Sequence, residues 1–229
     1  MASPPTTATG FVLAGGHSTH TDPDKVFLAW NGNTFLEEAL RKLREVCGAV
    51  YICTRWPELG EYADVVPDVV PDATESVGPL GGIIAALEAT STDWNLFLAV
   101  DLPQMPTEFL SELLGRATHG SALAVVPYLA GRSKPLCAAY HRKLLPGLRR
   151  ALGEGEHAVM PAVERAASLP CETCPDGTSI AIDRYPVDAP DAQGHVHAQA
   201  DWFLHIDTPE ELTQAQSKFA AVSMPSVIL

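Results

Sequence analysis

A chain of 229 residues with 46% apolar and 19% charged side chains has the makeup of one folded domain with a sizeable core, not of a disordered segment. The formal net charge of −13 argues against nucleic acid as a partner, because such binding rests on neutralising phosphates; any site for an anionic nucleotide must be a local positive island. Residues 1–9 hold neither a basic stretch nor a long apolar run, and no segment has the length of a transmembrane helix, so a cytoplasmic protein without a membrane partner is expected.

Gly10 to Leu13 reads as a first buried strand that runs into Leu13-Ala14-Gly15-Gly16-His17-Ser18, with Asp24-Lys25 a few residues on. Thr34 to Val46 predicts a helix, with Leu36, Leu40 and Leu43 on one face and a capping box from Thr34 and Glu37. Val50 to Cys53 reads as a second strand and Val65-Val66 as a short third. Leu80 to Leu87 follows Gly78-Pro79 as a helix, Trp94 to Val100 is a buried strand ending at Asp101, Phe109 to Leu114 is helical, and Leu123 to Val126 is a further strand. In the second half Pro135 to Tyr140 reads as a strand, Arg142 to Leu152 and Ala158 to Ala167 as helices, and Ser179 to Ile182 as a short strand within a Pro-, Asp- and Gly-rich excursion over residues 170–200. Trp202 to Ile206 returns as a strand, and Thr208-Pro209-Glu210-Glu211 opens the last helix with a capping box and a proline at its first position. The alternation of strands and helices predicts an α/β fold with a mostly parallel central sheet and helices on both faces. One domain over 1–229 is expected, with 1–9 and 224–229 as loose tails.

In such sheets ligands bind beyond the carboxyl ends of the strands, where Gly15, Asp68 and Asp101 are expected to emerge. Ala14-Gly15-Gly16 leaves a turn with no side chains in the way, so backbone N–H groups can approach an anion, and Lys25 is placed to add a point charge. The run is neither G-x-G-x-x-G nor the Walker-type loop. Gly78-Pro79-Leu80-Gly81-Gly82 is a second glycine-rich turn that enters a helix and could admit a base or a phosphate. Asp68 is a candidate acceptor for hydrogen bonds from a base edge, with a solvated turn as its alternative. Asp101, a carboxylate at the end of an apolar strand, suits Mg²⁺, which takes one or two carboxylates plus phosphate oxygens. The alternative is a cap for the helix near Thr107, a task open to Thr107 itself. Asp207 could supply a second oxygen to the ion or simply cap the final helix. Arg132 and Lys134 precede a strand and could meet an anionic second substrate, whereas Arg142, Arg149 and Arg150 have the spacing of a solvated helix face. His195, His197 and His205 fall in no metal-ligand motif, and Cys171-Glu-Thr-Cys174 has no second pair with which to form a four-cysteine zinc site.

Five of these pieces, Leu13-Ala-Gly-Gly-His-Ser18 with Asp24-Lys25, Gly78-Pro-Leu-Gly-Gly-Ile83, Asp101-Leu-Pro103, Pro135-Leu-Cys-Ala-Ala-Tyr140 and Phe203-Leu-His-Ile-Asp-Thr-Pro-Glu-Glu-Leu212, stand in the order found in the molybdenum cofactor guanylyltransferases. The chain resembles these MobA-type members of the nucleotidyltransferase superfamily over roughly Gly10 to Leu212. The resemblance implies a Rossmann-like three-layer nucleotidyltransferase fold and a Mg²⁺-dependent transfer of GMP from GTP to molybdopterin, the molybdenum cofactor, with release of pyrophosphate. It implies nucleotide contacts at Leu13, Ala14, Gly15, Gly16, Lys25, Asp68, Gly78, Pro79 and Leu80, a metal at Asp101 and Asp207, catalytic roles for Lys25 and Asp101, and molybdoenzymes or their chaperones as further partners. The first loop departs from the family pattern: His20 and Asp22 stand where an arginine and a glycine are usual, and His205 and Asp207 replace two asparagines. These departures keep open a non-catalytic relative that binds nucleotide or cofactor and passes it on; cytidylyl and sugar-1-phosphate transferases share the first loop.

Overall fold

The computed structural model describes residues 8–14, 26–54, 69–71, 78–168, 181–189, 200–206 and 208–223. In chain order these form β1 (Ala8–Leu13), the hairpin β2 (Ala29–Trp30) and β3 (Asn33–Thr34), α1 (Phe35–Val46), β4 (Ala49–Thr54), β5 (Val69–Pro71), α2 (Pro79–Ala89), β6 (Trp94–Ala99), α3 (Thr107–His119), β7 (Ala124–Leu129), β8 (Arg132–Ser133), β9 (Cys137–His141), α4 (Leu145–Gly153), α5 (Val159–Ser168), β10 (Ile182–Pro186) and α6 (Pro209–Ser223).

β1 is buried along its whole length because it lies between β4 and β6, both parallel to it, with helices on either face. Its side chains alternate between two cores. Val12 joins α1 and α3 on one face through Leu36, Leu40, Leu43, Phe109 and Leu113, while Phe11 joins α2, α4 and α5 on the other through Leu80, Ile83, Leu148 and Val163. On that second face Phe11 stacks on Phe97 with ring centroids 5.2 Å apart. At Gly10 an added Cβ would lie 3.2 Å from both Leu43 Cβ and Cys47 Sγ, so the missing side chain is what lets α1 close onto β1.

The sheet runs β10-β7-β9-β6-β1-β4-β5, with β8 hairpinned onto β7. β9 is antiparallel to both of its neighbours; the pairs β10-β7, β6-β1, β1-β4 and β4-β5 are parallel. This is the three-layer, mostly parallel α/β architecture expected. The chain moves outward from β1 to β4 and β5, then returns through α2 to β6 on the other side of β1. The strand order therefore reverses between β1 and β6, and a crevice opens at their carboxyl ends.

Local signals account for most element boundaries. Thr34 Oγ1 accepts from the Glu37 N–H at 3.1 Å while the Glu37 carboxylate accepts from the Thr34 N–H at 2.7 Å, the capping box expected. Thr208 and Glu211 repeat it at α6, with bonds of 3.0 and 3.2 Å. Gly78 has φ +72°, and Pro79 occupies the first turn of α2.

Several expectations need correction. Ala8 and Thr9, placed in the N-terminal tail, belong to β1, where they pair with Trp94 and Asn95. The third strand is Val69–Pro71; Val65-Val66 lies outside the described residues. Gly81 and Gly82 are buried within α2, so only Gly78 makes the turn. Arg142–Leu144 is a short 3-10 turn ahead of α4, not its first turn. Thr107 is not the cap of α3, which starts after Pro106 without any side-chain cap. Trp202 to Ile206 is not a strand: Ala200–Phe203 forms a 3-10 turn whose Trp202 and Phe203 rings pack on Phe109 with centroids 5.7 and 5.6 Å away. Phe203 and Ile206 of that run are buried without belonging to a strand, while Leu204 is exposed.

On the buried flank of α1, Glu38 receives two bonds from Arg41, at 2.8 and 3.0 Å, and one at 3.3 Å from the Asn33 amide. The Arg41 guanidinium holds the Glu38 carboxyl down to about 2 against the opposing effect of burial. A carboxyl depressed in the folded state contributes stability above pH 4.5, and that stability is lost as pH falls towards 2; the contribution is at most about 3 kcal/mol. In a pH series of urea unfolding, Glu38→Gln is expected to be less stable at neutral pH and to flatten the fall below pH 4.5. An unchanged acid limb would remove Glu38 as its source.

Candidate active site

The crevice at the strand-order reversal is built by backbone pairing. Leu13 lies level with Ala99 on one side and Cys53 on the other. Beyond the strands, the Val100 N–H donates to the Leu13 carbonyl at 3.1 Å and the Ala14 N–H to the Cys53 carbonyl at 2.9 Å. The first loop thus leaves from a point anchored on both sides. Leu13 is buried and Ala14 half-buried. Gly15, Gly16 and Lys25 lie outside the described residues.

Asp101 follows β6 directly. Its side chain keeps 19% of its exposure, and its Oδ1 lies 3.0 Å from His205 Nδ1, an ion-pair distance when the imidazole is protonated. The Asp101 carbonyl accepts from the Ile206 N–H at 3.2 Å. The C-terminal segment is therefore docked against the strand end that carries the carboxylate. Asp101 is six residues from the start of α3 and does not cap it. Among the described residues no group of three or more His, Cys, Asp and Glu side chains could hold a metal ion. Among the described residues, Asp101 with His205 does not make up a four-ligand structural zinc site. The Asp101 carboxylate does fit a magnesium ion that takes most of its oxygens from phosphates and water.

Beside Asp101 a cleft of about 200 Å³ is lined by Leu102, Ser133, Lys134, Pro135, Leu136, Cys137, Phe203 and His205. Lys134 is held there by its own backbone, its N–H bonding the Pro127 carbonyl at 2.8 Å, and its Nζ lies 5.7 Å from the Phe203 ring centre. Burial pushes the Cys137 thiol up to about 12, which leaves a poor nucleophile at neutral pH.

The basic stretch divides as its spacing implied. Lys134 reaches the cleft and Arg132 is exposed on β8. Arg149 pairs with Glu88 at 2.7 Å and Arg150 with Glu154 at 2.9 Å, both well away from the cleft. At the second glycine turn, Gly78 and Pro79 are half-exposed, but Leu80 is fully buried in the core, so its side chain cannot touch a nucleotide. Asp68 lies outside the described residues and stands one position before β5 in the chain. The carboxylate that directly follows β5 is Asp72. Asp207, His195, His197, Cys171 and Cys174 also lie outside the described residues.

Residues 10–167 match the family described as MobA-like NTP transferase domain. The chain belongs to the MobA-like nucleotidyltransferases. A probable molybdenum cofactor guanylyltransferase of Bacillus cereus (strain AH820) is 30% identical to this MobA-like chain over 211 residues, which cover 90% of this chain and 94% of that protein. The crystal structure of molybdopterin-guanine dinucleotide biosynthesis protein A from Archaeoglobus fulgidus is similar in fold, with a TM-score of 0.71 at 22% identity over 93% of this chain and 99% of that one. A nucleotidyl transferase from Methanothermobacter thermautotroptrophicus has a TM-score of 0.64 at 18% identity, covering 96% of this chain and 100% of that one. Nucleotidyl transfer is thus the reaction class of the MobA-like family to which the crevice belongs.

Two side chains at or behind the turn that carries Asp101 give no sign of that placement in the sequence. His205 sits in the C-terminal motif, but nothing in its spacing points to Asp101. Lys42 is buried on the flank of α1, where its only local signal is the i, i+4 pairing with Glu38 at 3.4 Å.

Proposed function

We propose that this protein transfers GMP from GTP to a molybdopterin-type acceptor and releases pyrophosphate, requiring Mg²⁺. The observation that carries the reading is Asp101, placed where the strand order reverses and beside a cleft that presents Lys134 and His205. The relatives that are probable molybdenum cofactor guanylyltransferases support the guanylyl assignment over a cytidylyl one.

Asp101, with Asp207 as a second oxygen donor, would hold the magnesium ion, which supplies charge neutralisation of the triphosphate. The backbone of Ala14, Gly15 and Gly16 binds the phosphates, and Lys25 adds a fixed positive charge. Gly78 and Pro79 offer backbone against the base, and Asp72 takes the base-edge role first assigned to Asp68, because it follows a strand. Lys134 and Ser133 face the anionic acceptor, and His205 orients the Asp101 carboxylate. An oxygen of the acceptor's terminal phosphate attacks the α-phosphorus of GTP, and the bond to pyrophosphate breaks. The protein aligns the two anions and stabilises charge without forming a covalent intermediate. Delivery of the product to molybdoenzymes or their chaperones, in the cytoplasm, belongs to the same proposal.

The substitutions His20 and Asp22 favour a second reading, a relative that binds the cofactor but does not react it. Titration of GTP with and without Mg²⁺ separates the two, since only the enzyme binds GTP tightly and in a metal-dependent way. In the same titration Lys25→Ala is expected to lose at least tenfold in affinity, about 1.4 kcal/mol, with its melting temperature unchanged. Parent affinity in the folded variant would remove the first loop from the site.

A further inference from the structure

Lys42 is only 4% exposed, on the buried side of α1 that also holds Phe35, Glu38, Ala39 and Val46. Burial pushes its ammonium pKa down, although Glu38 opposes the shift. Core packing does not explain a charge here, because methionine would fill the space without the cost of desolvating an ammonium. What the ammonium does is reach out of the helix. Its Nζ donates to the carbonyl of Pro103, 61 residues away.

Pro103 is buried and stands two residues after Asp101. The turn around it is held by two backbone bonds, Leu102 N–H to the Ala99 carbonyl at 3.3 Å and Met105 N–H to the Leu102 carbonyl at 3.2 Å. Proline donates nothing to this turn, and its buried carbonyl must find a partner. Lys42 is that partner. Behind it, Glu38 contacts Lys42 and accepts from Asn33 of the β2–β3 hairpin. One buried chain of contacts thus joins the hairpin, α1 and the turn that carries Asp101.

We propose that Lys42 is a positioning residue for nucleotidyl transfer: its buried ammonium holds the Leu102–Met105 turn, and through it the Asp101 carboxylate, while touching neither substrate. The proposal rests on the role given to Asp101 above.

The test compares the parent with Lys42→Met and Lys42→Arg. It uses pyrophosphate release from GTP plus molybdopterin for kcat and KM, and amide hydrogen exchange at Leu102 and Met105. Lys42→Met is expected to lower kcat at least tenfold and leave the KM for GTP within twofold. Exchange at both amides should rise, and Lys42→Arg, which keeps a cationic donor, should recover part of kcat. If Lys42→Met does not fold, Lys42→Gln carries the same expectation, since it stays polar beside Glu38 but is one atom too short for Pro103. A folded variant that melts lower yet keeps the parent kcat shows a packing role and overturns the proposal. A parent that does not turn over refutes the transferase reading instead. Hydrogen exchange needs no turnover, and unchanged exchange in Lys42→Met overturns the positioning role whatever the parent's activity.

Discussion

Asp101→Asn is expected to abolish Mg²⁺-dependent pyrophosphate release while the protein folds as the parent does. The amide has the shape of the carboxylate, and the bond that docks the C-terminal segment, from the Ile206 N–H, goes to the Asp101 backbone, which the substitution leaves in place. The side chain is partly exposed at a strand end and not buried in either core, so the cost in stability is small. What is removed is the negative charge that a hard divalent cation needs. A loss of about a thousandfold in kcat, on the order of 4 kcal/mol, is the expected scale for losing a charge that aligns and neutralises a triphosphate. The measurement is the initial rate against Mg²⁺ concentration. Excess metal should restore little of the rate, because an amide oxygen replaces the carboxylate poorly. Release at the parent rate would make Asp101 a structural residue and place the metal elsewhere.

The double change His20→Arg with Asp22→Gly is expected to tighten GTP binding by up to about a hundredfold. It introduces a guanidinium, which carries a fixed positive charge, in place of an imidazole, and it removes a negative charge. At about 5 Å and an effective dielectric near 20, one unit charge against another is worth on the order of 3 kcal/mol, less wherever water screens the loop. Because the gain is electrostatic, it should shrink as ionic strength rises. GTP affinity at low and high salt, together with turnover, reads the result. A parent that already turns over well and a variant no better would mean that the loop holds its phosphates by other means. Activity gained from a silent parent would identify the natural protein as a degenerate transferase.

The features legible in the sequence are those whose cause is local. Thr34 and Glu37 cap α1 because two side chains three residues apart exchange bonds with each other's backbone, whatever the rest of the chain does. The strands β1, β4 and β6 show as mainly apolar runs, broken only by Thr9, Thr54 and Asn95, because both faces of a parallel sheet are covered. Asp101 stands out as a carboxylate that ends such a run. The prolines at 67 and 71 blur the third strand, and with it the choice between Asp68 and Asp72, since proline is tolerated at a sheet edge but erases the usual pattern. The apolar run at Trp202 to Ile206 looks like a strand because its buried members, Phe203 and Ile206, and the ring contacts of Trp202 and Phe203 with Phe109 call for apolar side chains just as pairing would.

From its sequence alone, the alternation of strands and helices, the helix caps, the family motifs and the candidate loops were determined, because each depends on neighbours a few residues apart. Only the tertiary structure decided that β9 runs antiparallel beside β6, that the Leu80 side chain is buried in the core, that His205 faces Asp101, and that Lys42 spans 61 residues to reach Pro103. Those contacts join segments far apart in the chain, and their energy comes from desolvation and geometry that exist only once the layers have closed.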